Sequence, residues 1–270
     1  MTLSAGCGLL LDLDSRDLPT DAGGVSDASS DARAAAVVDG ASTDAVVPTG
    51  APFVAGSFTI DTTGYIAGET LGLFALTPDR AIAPGTLLIA LVTARVAASV
   101  GITGPTDWMI VRREGADDAS GAPLSQVVAW HIAGASEPAS YDWTFSAGTL
   151  VGAVGMLLVV SGADTSSPIE ASSGRWTGDA FYFAAPSVDV AASTDVVVGA
   201  FGASADARLF GPPALQDLAF ISNAAMPCEL WVGAALWSAG GPTGEQPATD
   251  ASGTTNGSSI GQLIVLRSAP

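Results

Sequence analysis

An all-β fold, a two-sheet antiparallel β-sandwich of jelly-roll type behind a disordered N-terminal segment, follows from three features of the sequence. Short apolar runs recur from Pro52 onward with Gly, Pro, Asp and Ser between them, the pattern of many strands joined by tight turns. Several runs alternate strictly: Tyr141, Trp143 and Phe145 share one face, while Asp142 and Thr144 share the other. No stretch combines helical spacing with capping residues, except a short turn near 214–219.

Strands are expected at 57–60, 70–76, 86–94, 108–114, 124–133, 141–146, 151–160, 180–184, 187–190, 194–201, 228–238 and 260–267. In 124–132, Leu124, Gln126, Val128, Trp130 and Ile132 oppose Ser125, Val127, Ala129 and His131. Leu87 to Val92 and Val154 to Val160 are apolar on both faces, which marks strands covered on both sides. A dozen strands at short spacing fit a sandwich, and no repeat at a period of 20–50 residues supports a solenoid or propeller.

Composition narrows the partners. The 270 residues are 48% hydrophobic and only 13% charged, so the surface is solvated largely by Gly, Ser, Thr and backbone. Twenty-seven acidic residues against nine basic ones give a net charge of −18, and all nine basic residues are Arg. Such a chain is repelled by phosphate backbones and by anionic bilayers, which argues against nucleic acid and against electrostatic membrane attachment. Two cysteines, Cys7 and Cys228, exclude a disulfide framework. Cys228 is expected to be a small buried hydrophobe.

Three segments are expected: a leader remnant at 1–11, a flexible acidic linker at 12–52 and a sandwich domain at 53–270. Asp12, Asp14, Asp17, Asp21, Asp27, Asp31, Asp39 and Asp44 are interleaved with Ala, Ser, Gly and Thr, with no aromatic among them, so this tract cannot offset the entropy of ordering. Leu3-Ser4-Ala5-Gly6-Cys7-Gly8 resembles the lipobox of bacterial lipoproteins, although the charged and apolar regions of a signal peptide do not precede it. Either the start lies too far downstream and Cys7 is the lipidated residue, or Cys7 is an ordinary residue of a tail. The acidic tract favours the first reading, and together with the Gly-Cys-Gly-Leu-Leu start it resembles surface lipoproteins of myxobacterial type.

Further landmarks run in order. They are Gly85 to Val92, Pro105-Thr106-Asp107-Trp108 leading into Val111-Arg112-Arg113, and Trp130-His131-Ile132-Ala133. Then come Ser136-Glu137-Pro138 through Phe145, Ser161-Gly162 through Glu170, Ala185-Pro186-Ser187-Val188 and Asp195 to Gly199. Together they resemble a β-sandwich domain of secreted bacterial proteins and of phage tail and fibre proteins, over residues 70–267. The resemblance implies surface display or virion attachment and no settled enzymatic activity. Val159-Val160 departs from it, since such domains often carry Tyr before the Gly. In physical terms, Pro-x-x-Trp places an aromatic just past a turn, where it can cap one end of a sandwich.

No catalytic residue emerges. His131 is the single histidine, no Gly-x-Ser-x-Gly elbow is present, and one His without a Cys cluster cannot supply a zinc site. A paired-carboxylate glycosidase would need two acids on a concave face, and Glu229 beside Trp231 is the nearest candidate. No cofactor is expected. Calcium would use Asp117-Asp118 with Glu114, or Asp179 near Asp164, but no Asp-x-Asp-x-Asp-Gly loop accompanies them, and solvated loop acids are the plainer reading. Among the aromatics, Trp130, Trp143, Trp231 and Trp237 read as core. Trp176, with Arg175 and Tyr182 in a Gly-rich stretch, is the candidate ligand-binding group, suited to stacking a sugar.

The expected function is thus that of a non-catalytic cell-envelope or extracellular sandwich protein in adhesion, display or recognition, lipid-anchored at the outer surface. Its partners would be a polysaccharide or another envelope protein, with contact to the membrane through the lipid alone. The alternatives are a self-associating structural subunit of an extracellular or phage-like assembly, and a carbohydrate-active enzyme on a jelly-roll scaffold.

Overall fold

A computed structural model describes residues 52–70, 72–116, 122–146, 151–178, 181–204, 208–225, 227–251 and 257–270. Cys7 and the acidic tract lie outside the described residues. After a short strand β1 (Phe53–Ala55) come β2 (Phe58–Thr70), β3 (Leu73–Leu76), β4 (Leu87–Ala94), β5 (Ile102–Thr103), β6 (Met109–Ala116), β7 (Leu124–Ile132), β8 (Tyr141–Phe145) and β9 (Val151–Ser161). The chain continues with β10 (Ile169–Thr177), β11 (Tyr182–Ala185), β12 (Asp189–Val190), β13 (Val196–Ala203), β14 (Leu209–Phe210), β15 (Gln216–Asn223), β16 (Cys228–Leu236), β17 (Gly241–Pro242), β18 (Gln246–Asp250) and β19 (Ser259–Leu266). The described residues hold no helix, and every strand pair is antiparallel.

The all-β sandwich architecture is as expected, but where one two-sheet sandwich is expected the chain forms two in succession. In the first half the large sheet runs β2-β9-β4-β7-β6 and the small one β3-β8-β5; in the second half they run β10-β19-β13-β16-β15 and β11-β18-β14. Counting eight main strands per half, first pairs with last, second with seventh and third with sixth, the nested winding of a jelly roll. The two halves match in register as well as order. Leu87↔Val160 corresponds to Val196↔Leu266, Leu76↔Tyr141 to Ala185↔Gln246, and Ile102↔Phe145 to Leu209↔Asp250. A bulge skips Val111 on β6 and Leu218 on β15. The turn before each of these strands is the same, Trp108 N donating to Pro105 O at 3.1 Å and Leu215 N to Pro212 O at 3.0 Å. The small pair β12–β17 and the strand β1 are additions to this plan.

The four sheets stack as small, large, large, small, because the central strands are apolar on both faces. Leu87, Ile89 and Leu91 of β4 enter a core shared by the two large sheets, while Leu88, Ala90 and Val92 enter the core beneath β3-β8-β5. On β13, Val196, Val198 and Ala200 enter the shared core, and Val197, Phe201 and Ala203 face β11-β18-β14. The halves therefore meet through equivalent faces, as the subunits of a two-fold dimer do. The contacts at the rim are reciprocal: β6 lies against β10, and its counterpart β15 lies against β2. Arg112 of β6 donates to the Gly174 carbonyl of β10 at 3.2 Å, and Asn223 of β15 donates to the Gly68 carbonyl of β2 at 2.9 Å. A Cβ at Gly174 would stand 2.5 Å from Arg112 Nε, so a larger residue there would have to displace the Arg112 side chain from this crossing.

Several details differ from the sequence reading, among them the joining of the expected 57–60 strand to the start of 70–76 in β2 and the unexpected short strands β1, β5, β14 and β17. The helical turn expected near 214–219 is the Pro212–Leu215 turn followed directly by strand β15, because Leu218, Ala219 and Ile221 are needed in the shared core. Strand β10 is absent from the expected set, since Ala171-Ser172-Ser173-Gly174 carries none of the β-branched or aromatic signal of a strand. Strand β18 is absent likewise, its Pro247 arguing against a strand interior, yet it lies between β11 and β14. As expected, Cys228 is buried, its thiol donating to Thr93 O at 3.5 Å, and burial pushes the thiol well above its usual range.

If the shared core carries the fold, Leu91→Ala in one half and Ile264→Ala in the other each lower stability by about 2–5 kcal/mol in urea unfolding. The solvent-facing Leu73→Ala changes it by less than about 0.5 kcal/mol. A cost under about 1 kcal/mol at Leu91 or Ile264 would contradict the shared-core assignment.

Candidate functional site

The single histidine sits in a clamp at one end of the first half. Trp108, delivered by the Pro105 turn, is buried and meets Tyr141 and Trp143 edge-on at 5.1 and 5.8 Å, capping the sandwich as the Pro-x-x-Trp pattern suggests. His131 stacks on Trp108 at 5.5 Å, with Nδ1 3.2 Å from the Asp107 carbonyl and Nε2 3.2 Å from Glu137 Oε1. Both partners are acceptors, so the two bonds form together only when both ring nitrogens carry protons. Glu137 also accepts from the Gly134 amide and, at 2.7 Å, from the Tyr141 hydroxyl. Burial opposes the Glu137 charge, yet the bonds from Tyr141, Gly134 and His131 outweigh it and hold the carboxyl below its ordinary range. Among the described residues no hydroxyl or thiol bonds to His131, so the cluster ties the 133–140 loop to the 105–108 turn.

Several of the remaining described acids are engaged. Glu114 pairs with Arg112, Asp164 accepts from Ser166 N and Oγ, and Glu245 pairs with Arg175 at 3.0 Å. Asp117, Asp118 and Asp179 lie outside the described residues. Glu170 meets the buried Asp195; burial first, and then the neighbouring carboxyl, raise it above the ordinary carboxyl range. Glu229 is fully buried, between Cys228 and Leu230 of the shared core.

The sequence-derived ligand trio is divided by the pleat. Trp176 and Arg175 are consecutive on β10 and so face opposite sides of the sheet. Trp176 is half-buried against the shared core, and Arg175 reaches the Ala184 carbonyl on β11 at 3.2 Å. Tyr182, two residues from Ala184 on that strand, is 57% exposed on the outer face of β11-β18-β14. Arg175 and Tyr182 thus come to the same edge of one outer sheet, and Trp176 does not.

Tyr182 belongs to a row. It pairs with Thr249, which pairs in turn with Phe210, so three adjacent strands present Tyr182, Thr249 and Phe210 side by side. Phe210 is 50% exposed and Arg208 stands over its ring at 5.8 Å; Phe181 is also exposed nearby in sequence. The first half supplies an internal comparison, since the same register places Leu73, Thr144 and Thr103 in the equivalent row. Phe210 and Arg208 carry no strand signal of their own. The signal that locates them is the shared Gly-Pro step, Gly104-Pro105 and Gly211-Pro212, which aligns Phe210 with Thr103.

The Glu137 clamp generates a pH test. A carboxyl held below its ordinary range contributes stability that is present above that range and is lost as pH falls through the lowered value. Glu137→Gln should cost about 1–3 kcal/mol at neutral pH, and the gap to the parent should narrow as unfolding is followed down to about pH 3. A gap independent of pH would contradict the assignment. Comparison of the chain with family models, with curated proteins and with solved structures gives no match.

Proposed function

We propose that this chain is a non-catalytic recognition module of the cell envelope or extracellular space, which binds a polysaccharide through the outer row of its second half. The observation that carries this reading is the exposed pair Tyr182 and Phe210 flanking Thr249, where the equivalent row of the first half has one Leu and two Thr. Aromatic rings on a flat, rigid sheet offer apolar faces to the C–H faces of sugars, and Thr249 lies between them with a hydroxyl. A platform built on paired strands needs little ordering when a ligand arrives. In this reading Cys7 receives the lipid and the acidic tract to residue 52 holds the sandwich off the membrane, which suits a module that samples a surface.

A second reading, a self-associating structural subunit, draws on Met109 and Ile110. Both are exposed at the start of the edge-lying strand β6, where the second half has Gln216 and Asp217. The test is retention of the whole chain on an immobilised polysaccharide panel, with Tyr182→Ala, Phe210→Ala and Leu73→Ala beside the parent. Saturable binding, weakened about tenfold or more by each aromatic change and untouched by Leu73→Ala, is expected, a factor that corresponds to about 1.4 kcal/mol. Binding indifferent to both aromatics, or ordered self-association with no binding, would contradict the proposal.

A further inference from the structure

We propose that the polysaccharide taken by the Tyr182–Phe210 row is acidic, with its carboxylates received by Arg208; this rests on the recognition reading above. Positions 73, 101 and 103 of the first half hold Leu, Gly and Thr, and their counterparts in the second half are Tyr182, Arg208 and Phe210. Position 101 is matched to 208 by the same closing bond in each half: Ser146 N donates to Gly101 O at 2.9 Å, and Ala251 N donates to Arg208 O at 3.0 Å. Thus two aromatics and a cation replace an aliphatic residue, a glycine and a hydroxyl, all on one stretch of outer sheet. An aromatic platform alone accounts for two of the three differences. The cation needs its own explanation.

Charge supplies it. Arg80, Arg112, Arg175 and Arg267 each lie within 4 Å of a carboxylate, at 2.8, 2.5, 3.0 and 3.9 Å. Arg208 is exposed and, like Arg95 and Arg113, has no carboxylate partner among the described residues, but of these three it alone stands beside the aromatic row. Its guanidinium lies 5.8 Å from the centre of the Phe210 ring, so a sugar chain that reaches Phe210 passes within a sugar's length of that cation. A guanidinium presents a planar fork of donors that matches a carboxylate in two parallel bonds, which an ammonium cannot do. The overall charge of −18 repels a polyanion at long range, so the attraction is confined to contact distance and is made at this site. Tyr182 and Phe210 are separated by two strand spacings, about 10 Å. That exceeds one sugar ring, so the ligand is a polymer or an oligomer of several sugars.

The experiment is calorimetric titration of the whole chain with three uronate polymers, polygalacturonate, alginate and hyaluronate, each beside its carboxyl-esterified, neutral counterpart. One acidic polymer is expected to bind at least tenfold more tightly than its ester. Arg208→Gln should abolish that preference, while Arg208→Lys should restore only part of it. Tyr182→Ala should weaken both forms alike, and added salt should erode the acidic preference alone. Equal binding of acid and ester, unchanged in Arg208→Gln, would overturn the acidic ligand and leave the recognition reading standing. Binding to no polymer, acidic or neutral, would overturn both, as would a dimer that dissociates on Tyr182→Ala and Phe210→Ala.

Discussion

The face-to-face burial of the two large sheets is the constraint on which the rest of the molecule depends. A sheet with solvent on one face needs apolar residues only at alternate positions; these sheets are covered on both faces and need them at nearly every position. Strands β4, β9, β13 and β19 meet that demand, with every residue of β4, β13 and β19 buried. Each buried Leu, Ile or Val contributes about 1.5–3 kcal/mol. A core this continuous explains how a chain with 13% charged residues folds with few ion pairs. It also relegates the small sheets to outer positions, where they cover one face and offer the other to solvent.

Within the shared core one group of polar residues stands out. Gln126 donates to Thr93 Oγ1 at 2.9 Å, and Gln262 of the other half donates to the Gln126 carbonyl at 3.3 Å. All three residues are buried. Opposite them is Gly202, where a Cβ would stand 2.8 Å from Thr93 Cγ2 and 3.0 Å from Gln126 Nε2. Gly202 is the second-half counterpart of Thr93, so the equivalent faces meet here with a polar side chain against a missing one. That asymmetry favours one register of the contact, because sliding the sheets would strip the Gln262 amide of its partner and move Gly202 away from the Thr93 and Gln126 side chains.

Much of this fold is legible in the sequence, for a physical reason. Runs such as Leu87 to Val92 and Val154 to Val160, with β-branched residues and flanking Gly and Pro, read better as strands covered twice than as helices, and the Tyr141-Trp143-Phe145 alternation reads as a strand covered once. What the sequence hides is that the covering sheet is a second copy of the first. Equivalent positions share burial rather than identity: Leu87 matches Val196, Trp143 matches Ala248 and Trp108 matches Leu215. Tyr182 is legible as a candidate because it is an aromatic in a polar, Gly-rich stretch. Its partners are not, since Phe210 lies on a two-residue strand and meets Tyr182 only across Thr249 of a strand containing Pro247. Trp176 shows the converse: its surroundings in sequence are polar, but the pleat turns it toward the core.

The duplication also bears on how a binding surface arises. Two halves with one winding and one register provide two outer sheets, and only one of these carries the aromatic row and its guanidinium. The half bearing Leu73 and Thr103 keeps the architecture without those groups, so scaffold and surface can be separated by substitution within a single chain. Whether the scaffold is one cooperative body is best read by native-state hydrogen exchange at β4 and β13, the central strands of the two halves. A shared core predicts that the slowest amides of Leu87–Ala94 and Val196–Ala203 exchange with the same opening free energy, equal to that of global unfolding. Two distinct opening free energies, one for each half, would contradict it.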